Sequence, residues 1–228
     1  MKMIDQRDYS TYIEKMRTES EFAQLPSNEF DQLLARVKVR SYPKGQILFD
    51  QGDRRDRFYY LLDGIVRVER FDMTGEASFY EYVAQDHAFP YRGFFMDDDY
   101  AYSVRAMTTI VVASFAMGQI EELISKNPAM MKAVLIEMGT IISEDEDHLQ
   151  HMITSSASDR VQYSIRLLGQ KLGQVNEEGH LFVAYPVNIN ELAEISATTR
   201  ETASSVIAKL QDDGVLNYSH KRMTFYHV

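Results

Sequence analysis

Residues 195–210 read ISATTRETASSVIAKL, a short polar turn that passes into a helical repeat carrying Arg200 and Glu201 on its first turn. Asn188 stands three residues before Glu191, and Thr198 stands three residues before Glu201. Each pair places a side-chain acceptor where a helix begins and a carboxylate three positions later, the pattern of a capping box. Two short helices are predicted, at about 189–196 and 199–212, separated by about three residues. That is helix-turn-helix spacing. Ala193 is small where the helices would cross, and Leu192, Ile195, Ala203, Val206 and Leu210 would form the seam between them.

Outward from this pair the pattern stays legible. Downstream, VLNYSHKRMTFYHV ends the sequence as a predicted hairpin, and upstream lie a helix over about 159–173, a turn through Asn176–Gly179 and a short strand at Leu181–Ala184. The small polar run ITSSAS, 153–158, is a candidate hinge. Before it a long helix is predicted from about Ala129 to Thr154, with Leu135, Met138, Ile142, Leu149 and Met152 at heptad a and d positions and Asp145 interrupting them. Such a stripe serves either to pack the helix on its own domain or to form the seam of a dimer. Residues 41–115 hold short β-rich runs, including 65–70, 79–83, 101–107 and 110–115, broken by turns at Gly45, Gly52, Gly64 and Gly75. Many short strands at this spacing imply a β-sandwich or roll. Residues 7–40 read as helical.

Net charge is −10, from 24 Lys and Arg against 34 Asp and Glu. From Ser158 onward there are seven basic and eight acidic residues, a net of −1, so −9 belongs to the first 157 residues. Local charge decides nucleic-acid contact, so the acidic total does not exclude it. With no cysteine, disulfides, thiolate zinc sites, cysteine-ligated iron–sulfur clusters and cysteine nucleophiles are excluded. No window approaches the roughly 18 apolar residues of a membrane-spanning helix, and MKMIDQRDYSTYIEKM lacks the apolar stretch of a secretory signal. A cytoplasmic protein is expected.

The stretch ELAEISATTRETASSVIAKLQDDGVL resembles the DNA-binding domain of the CRP/FNR superfamily of bacterial transcription regulators. YPKGQILFDQGD and YYLLDGIVRV resemble that family's cyclic-nucleotide-binding-type β-roll, and the likeness covers nearly the whole chain in the family's domain order. The resemblance implies an α+β fold: a β-roll effector-type domain with N-terminal helices over 1–128, a long dimerisation helix over 129–154, and a C-terminal winged helix-turn-helix over 155–228. It implies a regulator rather than an enzyme, a homodimer on palindromic double-stranded DNA, with RNA polymerase as a partner if it activates. In that setting Arg200 would donate to guanine O6 and N7, Glu201 would accept from cytosine N4, and Ser204 would lie one turn on. Thr198, Thr199, Lys209, Lys221 and Arg222 would meet phosphates. Glu201 could instead only close its capping box, and Arg200 could be a solvated surface arginine. Many relatives carry an arginine where Ser205 stands, which implies a different half-site. Ala197 occupies a turn position that is often glycine.

Relatives that bind cyclic nucleotides hold them with a Gly-Glu pair and, some ten residues on, an arginine followed by a small hydroxyl residue. Aligned on SVRA, 103–106, this chain offers Pro90, Tyr100 and Ala101 at the glutamate, arginine and hydroxyl positions. The resemblance therefore implies no response to cyclic AMP or GMP. Tyr82, Tyr91, Arg92, Tyr100, Tyr102 and Arg105 crowd the same segment as a candidate effector pocket for an unidentified anionic or peptide-like small molecule; alternatively these aromatics fill an emptied pocket and no ligand exists. The run Asp97-Asp98-Asp99 reads as a solvated loop, and no metal cofactor is expected, although His148 and His151 stand at a spacing that can share a divalent ion. Two other functions stay open: a regulator controlled by a partner or by abundance alone, and a β-roll small-molecule-binding protein with a vestigial DNA-binding domain. Against the second, only His87 of six histidines lies in the β-rich run, so a catalytic cluster is absent there.

Overall fold

The strand run RFYYLLD shows how the first domain is layered. In a computed structural model, which describes residues 6–71, 77–154 and 156–226, its side chains go alternately to two different cores. Phe58, Tyr60 and Leu62 join one apolar cluster, and Tyr59 and Leu61 join another. A strand covered on both faces has no reason to alternate polar and apolar residues, which is why this one reads as a continuous apolar run.

The chain divides into two compact units, residues 1–141 and 142–228. The first begins with α1 (Gln6–Glu19), a 3-10 turn (Glu21–Gln24) and α2 (Ser27–Leu34). Eight strands follow: β1 (Lys38–Tyr42), β2 (Ile47–Phe49), β3 (Arg57–Asp63), β4 (Ile65–Phe71), β5 (Ala77–Ala84), β6 (Ala88–Phe89), β7 (Ser103–Ala106) and β8 (Ile110–Ala116). They form two antiparallel sheets, ordered β1-β8-β3-β6 and β2-β7-β4-β5. Val66 and Val68 of β4, Val104 and Ala106 of β7, and Val112 of β8 meet in one core. Phe22, Phe30, Phe115, Ile120 and Met130 build the other, with α3 (Met117–Lys126) and the start of α4 (Pro128–Thr154). The sharp return from β3 to β4 demands glycine: Gly64 has φ +90, and a Cβ there would lie 2.7 Å from the Thr109 carbonyl oxygen.

The second unit holds the end of α4, then α5 (Ala157–Leu172), β9 (Gly173–Val175), β10 (Leu181–Val183), α6 (Ile189–Ile195), α7 (Arg200–Asp212), β11 (Leu216–Ser219) and β12 (Arg222–Phe225). Its sheet runs β11-β12-β10-β9. Val161, Ile165, Leu192, Ala203, Val206 and Met223 are buried. The α+β fold with a β-roll and a helical C-terminal region holding a hairpin is as the resemblance implies.

Local expectations change at three places: the helical N-terminal segment, the start of β1 and the cap of α7. The segment read as helical through residue 40 is two helices and a 3-10 turn, and β1 starts at Lys38 rather than Ser41. Its cause is tertiary: Lys38–Tyr42 pairs along β8, which overrides local texture. Within the hinge stretch 153–158, α4 ends at Thr154 and α5 opens on the N-cap Ser156; residue 155 lies outside the described residues. The turn glycine Gly75 also lies outside them. The third change concerns the cap of α7.

Candidate nucleic-acid interface

The first helix of the pair is capped as predicted: the Asn188 side chain accepts from the Glu191 N–H at 3.0 Å. The Glu191 carboxylate does further work in the core, accepting from the Tyr185 hydroxyl at 3.0 Å. For the second helix the cap is Thr199, not Thr198, with its hydroxyl accepting from the Thr202 N–H at 3.3 Å. Thr198 is consumed by the preceding turn, where its N–H donates to the Ala193 carbonyl at 3.0 Å and the Ala197 N–H donates to Glu194 at 3.1 Å. This 6→1 and 5→2 pair is a Schellman motif, which requires a left-handed residue. Here that residue is Ala197, at φ +46. Alanine in this conformation is strained by about 1 kcal/mol relative to glycine.

α7 ends the same way. Val215 donates to Leu210 and Gly214 donates to Gln211, both at 3.0 Å, with Gly214 at φ +69. Both ends of the helix are thus set by specific bonds. Ala203, Val206 and Ile207 face inward, leaving Arg200, Glu201, Ser204, Ser205, Ala208 and Lys209 exposed on the outward face. Arg200 therefore projects from the first turn into solvent. The Glu201 carboxylate, now at the second helical position, takes hydrogen bonds from its own N–H and from the Thr199 hydroxyl, which hold its pKa below the usual value. It remains exposed, so capping does not remove it from the outward face.

The hairpin β11–β12 is tied to this helix by the Tyr218 N–H, which donates to the Gln211 side chain at 2.7 Å. Ser219 and Arg222 pair across a two-residue turn in which His220 (φ +50) and Lys221 (φ +65) are both left-handed. Such turns ordinarily take Asn-Gly. Two non-glycine residues store strain at this exposed tip, and Lys221 and Arg222 stand there with their side chains free of the core. Thr198 is half-buried beside the turn and Thr199 is exposed. Sequence reading missed Gln211, Tyr218 and Ala208, because nothing in their local pattern shows that the hairpin is latched or which helix face stays open.

Along α4, Leu135, Ile142 and Leu149 are 62, 56 and 58% exposed at seven-residue intervals. Met138 instead packs against the first unit's core, and Met152 is half-buried. Ile136 and Ile153, not singled out in the sequence, are exposed as well. The two histidines near the helix end have other occupations. His151 stacks on Tyr163 with ring centroids 3.9 Å apart, and its Nδ1 lies 2.7 Å from the Asp147 carbonyl oxygen; His148 also lies against Tyr163. Among the described residues no three His, Asp or Glu side chains gather as a metal site.

The six residues of the candidate effector pocket are not brought together. Tyr100 and Tyr102 pack with the core between the sheets, whereas Tyr91 belongs to the helix-side core. Arg105 lies on the opposite face of β7 from Val104 and Ala106, in register with Arg67, which is in register with Tyr82. Arg92 is exposed. On that second face the buried Glu69 carboxylate is held by Arg67 and by Arg105 at 3.2 Å. Burial opposes the Arg67 charge, but the hydrogen bond and charge of Glu69 outweigh it and raise its pKa. Between the sheets, Phe49 stacks on Tyr100 at 3.8 Å and on Tyr59 at 5.7 Å, and Tyr59 stacks on Phe89 at 5.5 Å. The Tyr100 hydroxyl accepts from the Arg57 N–H at 3.0 Å and donates to the Arg57 carbonyl at 2.8 Å. Burial pushes its pKa up to about 12. The loop before it is anchored by Arg55, which donates to the Asp97 carbonyl at 2.9 Å and to Glu121 at 2.5 Å. Asp97 is half-buried in that loop, while Asp98 and Asp99 are exposed.

Residues 39–127 match the family described as cyclic nucleotide-binding domain. The chain is 25% identical over 183 residues to the HTH-type transcriptional regulator ArcR of Staphylococcus epidermidis, covering 78% of this chain and 77% of that one. It is 22% identical to the cAMP-activated global transcriptional regulator CRP of Escherichia coli, over 85% of this chain and 91% of that one. The solved structure of TTHA1359, a CRP/FNR-family transcriptional regulator from Thermus thermophilus, superposes with a TM-score of 0.65 at 21% identity, over 83% of this chain and 94% of that one. CRP/FNR-family regulators are therefore its homologues and its structural neighbours. No helix among the described residues is long and apolar enough to cross a membrane.

Proposed function

We propose that this homologue of the CRP/FNR regulators is itself a sequence-specific DNA-binding transcription regulator, a homodimer on a palindromic operator that does not respond to cyclic AMP or GMP. The observation that carries the reading is the outward face of α7, which presents Arg200, Glu201, Ser204 and Ser205 from a helix bounded at both ends by specific backbone bonds. A recognition helix enters the major groove by its N-terminal end, where an arginine reaches guanine and a carboxylate reaches cytosine. The strained basic tip at Lys221 and Arg222, with Thr199 and Lys209, supplies phosphate contacts beside it.

Dimerisation is supported by Leu135, Ile142 and Leu149, whose exposure at heptad spacing suits a parallel helix pair. Two recognition helices about 34 Å apart would then read successive major grooves. Ligand independence, or control by a partner protein, is favoured by the filled interior. Tyr100 stands where relatives place the phosphate-binding arginine, and its hydroxyl is already satisfied by Arg57. A phosphate there would be desolvated without a cationic partner, at a cost of several kcal/mol or more. The molecule works without catalysis, metal or cofactor in this reading, in the cytoplasm, and meets RNA polymerase if it activates.

Selection of bound duplexes from a randomised palindromic pool tests the function. The wild type is expected to enrich one palindrome, and Arg200→Ala to lose about 1–3 kcal/mol on it with relaxed choice at one base pair. Equal binding by both proteins rejects the assignment.

A further inference from the structure

We propose that Arg160 is a positioning residue for DNA reading: its guanidinium fixes the turn from which the recognition helix departs. The inference rests on the DNA-binding reading above and names the residue that holds its geometry.

Arg160 lies in the first turns of α5, where its N–H donates to the N-cap residue Ser156 at 2.9 Å. From there its side chain crosses to the end of α6. Nε donates to the Ser196 carbonyl at 3.0 Å and Nη2 donates to the Ala197 carbonyl at 2.8 Å. The turn's own Schellman bonds use the carbonyls of Ala193 and Glu194, so Arg160 engages two that they do not. A cation at a helix C-terminus is favoured by the helix dipole, and two charge-assisted bonds to successive carbonyls need a planar fork. Lysine has no such fork.

The place of this clamp matters more than its stability. It holds the carbonyl of Ala197, the strained residue at φ +46, three positions before Arg200. Left-handed alanine persists only where its surroundings over-determine it. Without the clamp the turn relaxes toward ordinary backbone angles, and the first turn of α7 moves with it. Base contacts are sensitive to such a displacement; non-specific binding, which depends on charge near phosphates, is not. The same α5 is fastened to α4 within the second unit by the Tyr163–His151 stack and by Lys171, whose Nζ lies 2.9 Å from Glu144. Arg160 therefore passes the placement of α5 directly to the reading head.

The test uses the full chain and the palindrome most enriched by the wild type, with an unrelated duplex as reference. Arg160→Gln is expected to lower affinity for the palindrome about tenfold or more, while affinity for the reference duplex stays within about twofold and the salt slope is unchanged. Arg160→Lys is expected to lose most of the same discrimination despite keeping the charge. Ala197→Gly added to Arg160→Gln should restore part of it, because the turn then no longer needs forcing. Unchanged discrimination in Arg160→Gln overturns the proposal, as does a fall of about one in the salt slope, which would mark a phosphate contact. If Arg160→Gln fails to fold, Arg160→Lys decides: wild-type discrimination there overturns it. A wild type that enriches no duplex defeats the DNA-binding reading instead, before any variant is compared.

Discussion

Single residues in this chain carry strain and burial that their neighbours must offset. Ala197 is the clearest case in the helix pair, and Glu21 is its counterpart in the first unit. Burial raises the Glu21 pKa from 4.5 to about 7, with the nearby Glu137 charge adding to it and the Glu21 N–H and His87 opposing. One carboxylate oxygen has no hydrogen-bond partner. The folded state therefore holds this proton more tightly than the unfolded chain does. Between pH 4.5 and 7 the unfolded chain releases the proton first, so stability falls as pH rises, and the loss is complete above 7. Glu21→Gln is expected to raise the thermal midpoint at pH 8 clearly more than at pH 4, by the equivalent of about 1–3 kcal/mol. Thermal melts of both proteins across that range check it; a constant offset at every pH refutes it.

At the scale of elements, α4 has two faces with different fates. Met130, Val134 and Met138 pack into the first unit's core, while Leu135, Ile142 and Leu149 stay open. Sequence periodicity grouped Met138 with the open set, because a heptad stripe does not say which of its members the home domain will claim. If the open set is the dimer seam, Ile142→Asp with Leu149→Asp should yield a folded monomer in sedimentation, with specific DNA affinity lowered by two orders of magnitude or more. A dimer that survives both charges rules out this seam. Strand pairing shows the same limit: β1 begins at Lys38 because β8 offers a partner there, and no local signal announces it.

For the whole molecule, the decisive feature is the packing of the β-roll interior. A domain matching cyclic nucleotide-binding proteins has its interior occupied by Phe49, Tyr59, Phe89 and Tyr100. Isothermal titration with cyclic AMP or cyclic GMP is expected to show no binding at ~1 mM, a free energy weaker than about −4 kcal/mol. Micromolar binding of either nucleotide would show that these rings give way and that the filled interior is not a block. The candidate effector residues found along 82–105 do not converge, since strand alternation sends Tyr82 and Arg105 away from Tyr100. Neighbours in sequence are not neighbours in a sheet.

Sequence alone determined the order of β-roll, long helix, helix pair and hairpin, and marked Arg200 and Glu201 as first-turn residues. Those signals are local: cap spacing, turn residues and the period of apolar side chains act over a few positions. Only the tertiary structure decided that Thr199 rather than Thr198 caps α7, that Ala197 is held left-handed, and that Arg160, almost forty residues upstream, grips the turn. These depend on which backbone groups remain unsatisfied once helices have packed, and that requirement is set by partners far away in the chain.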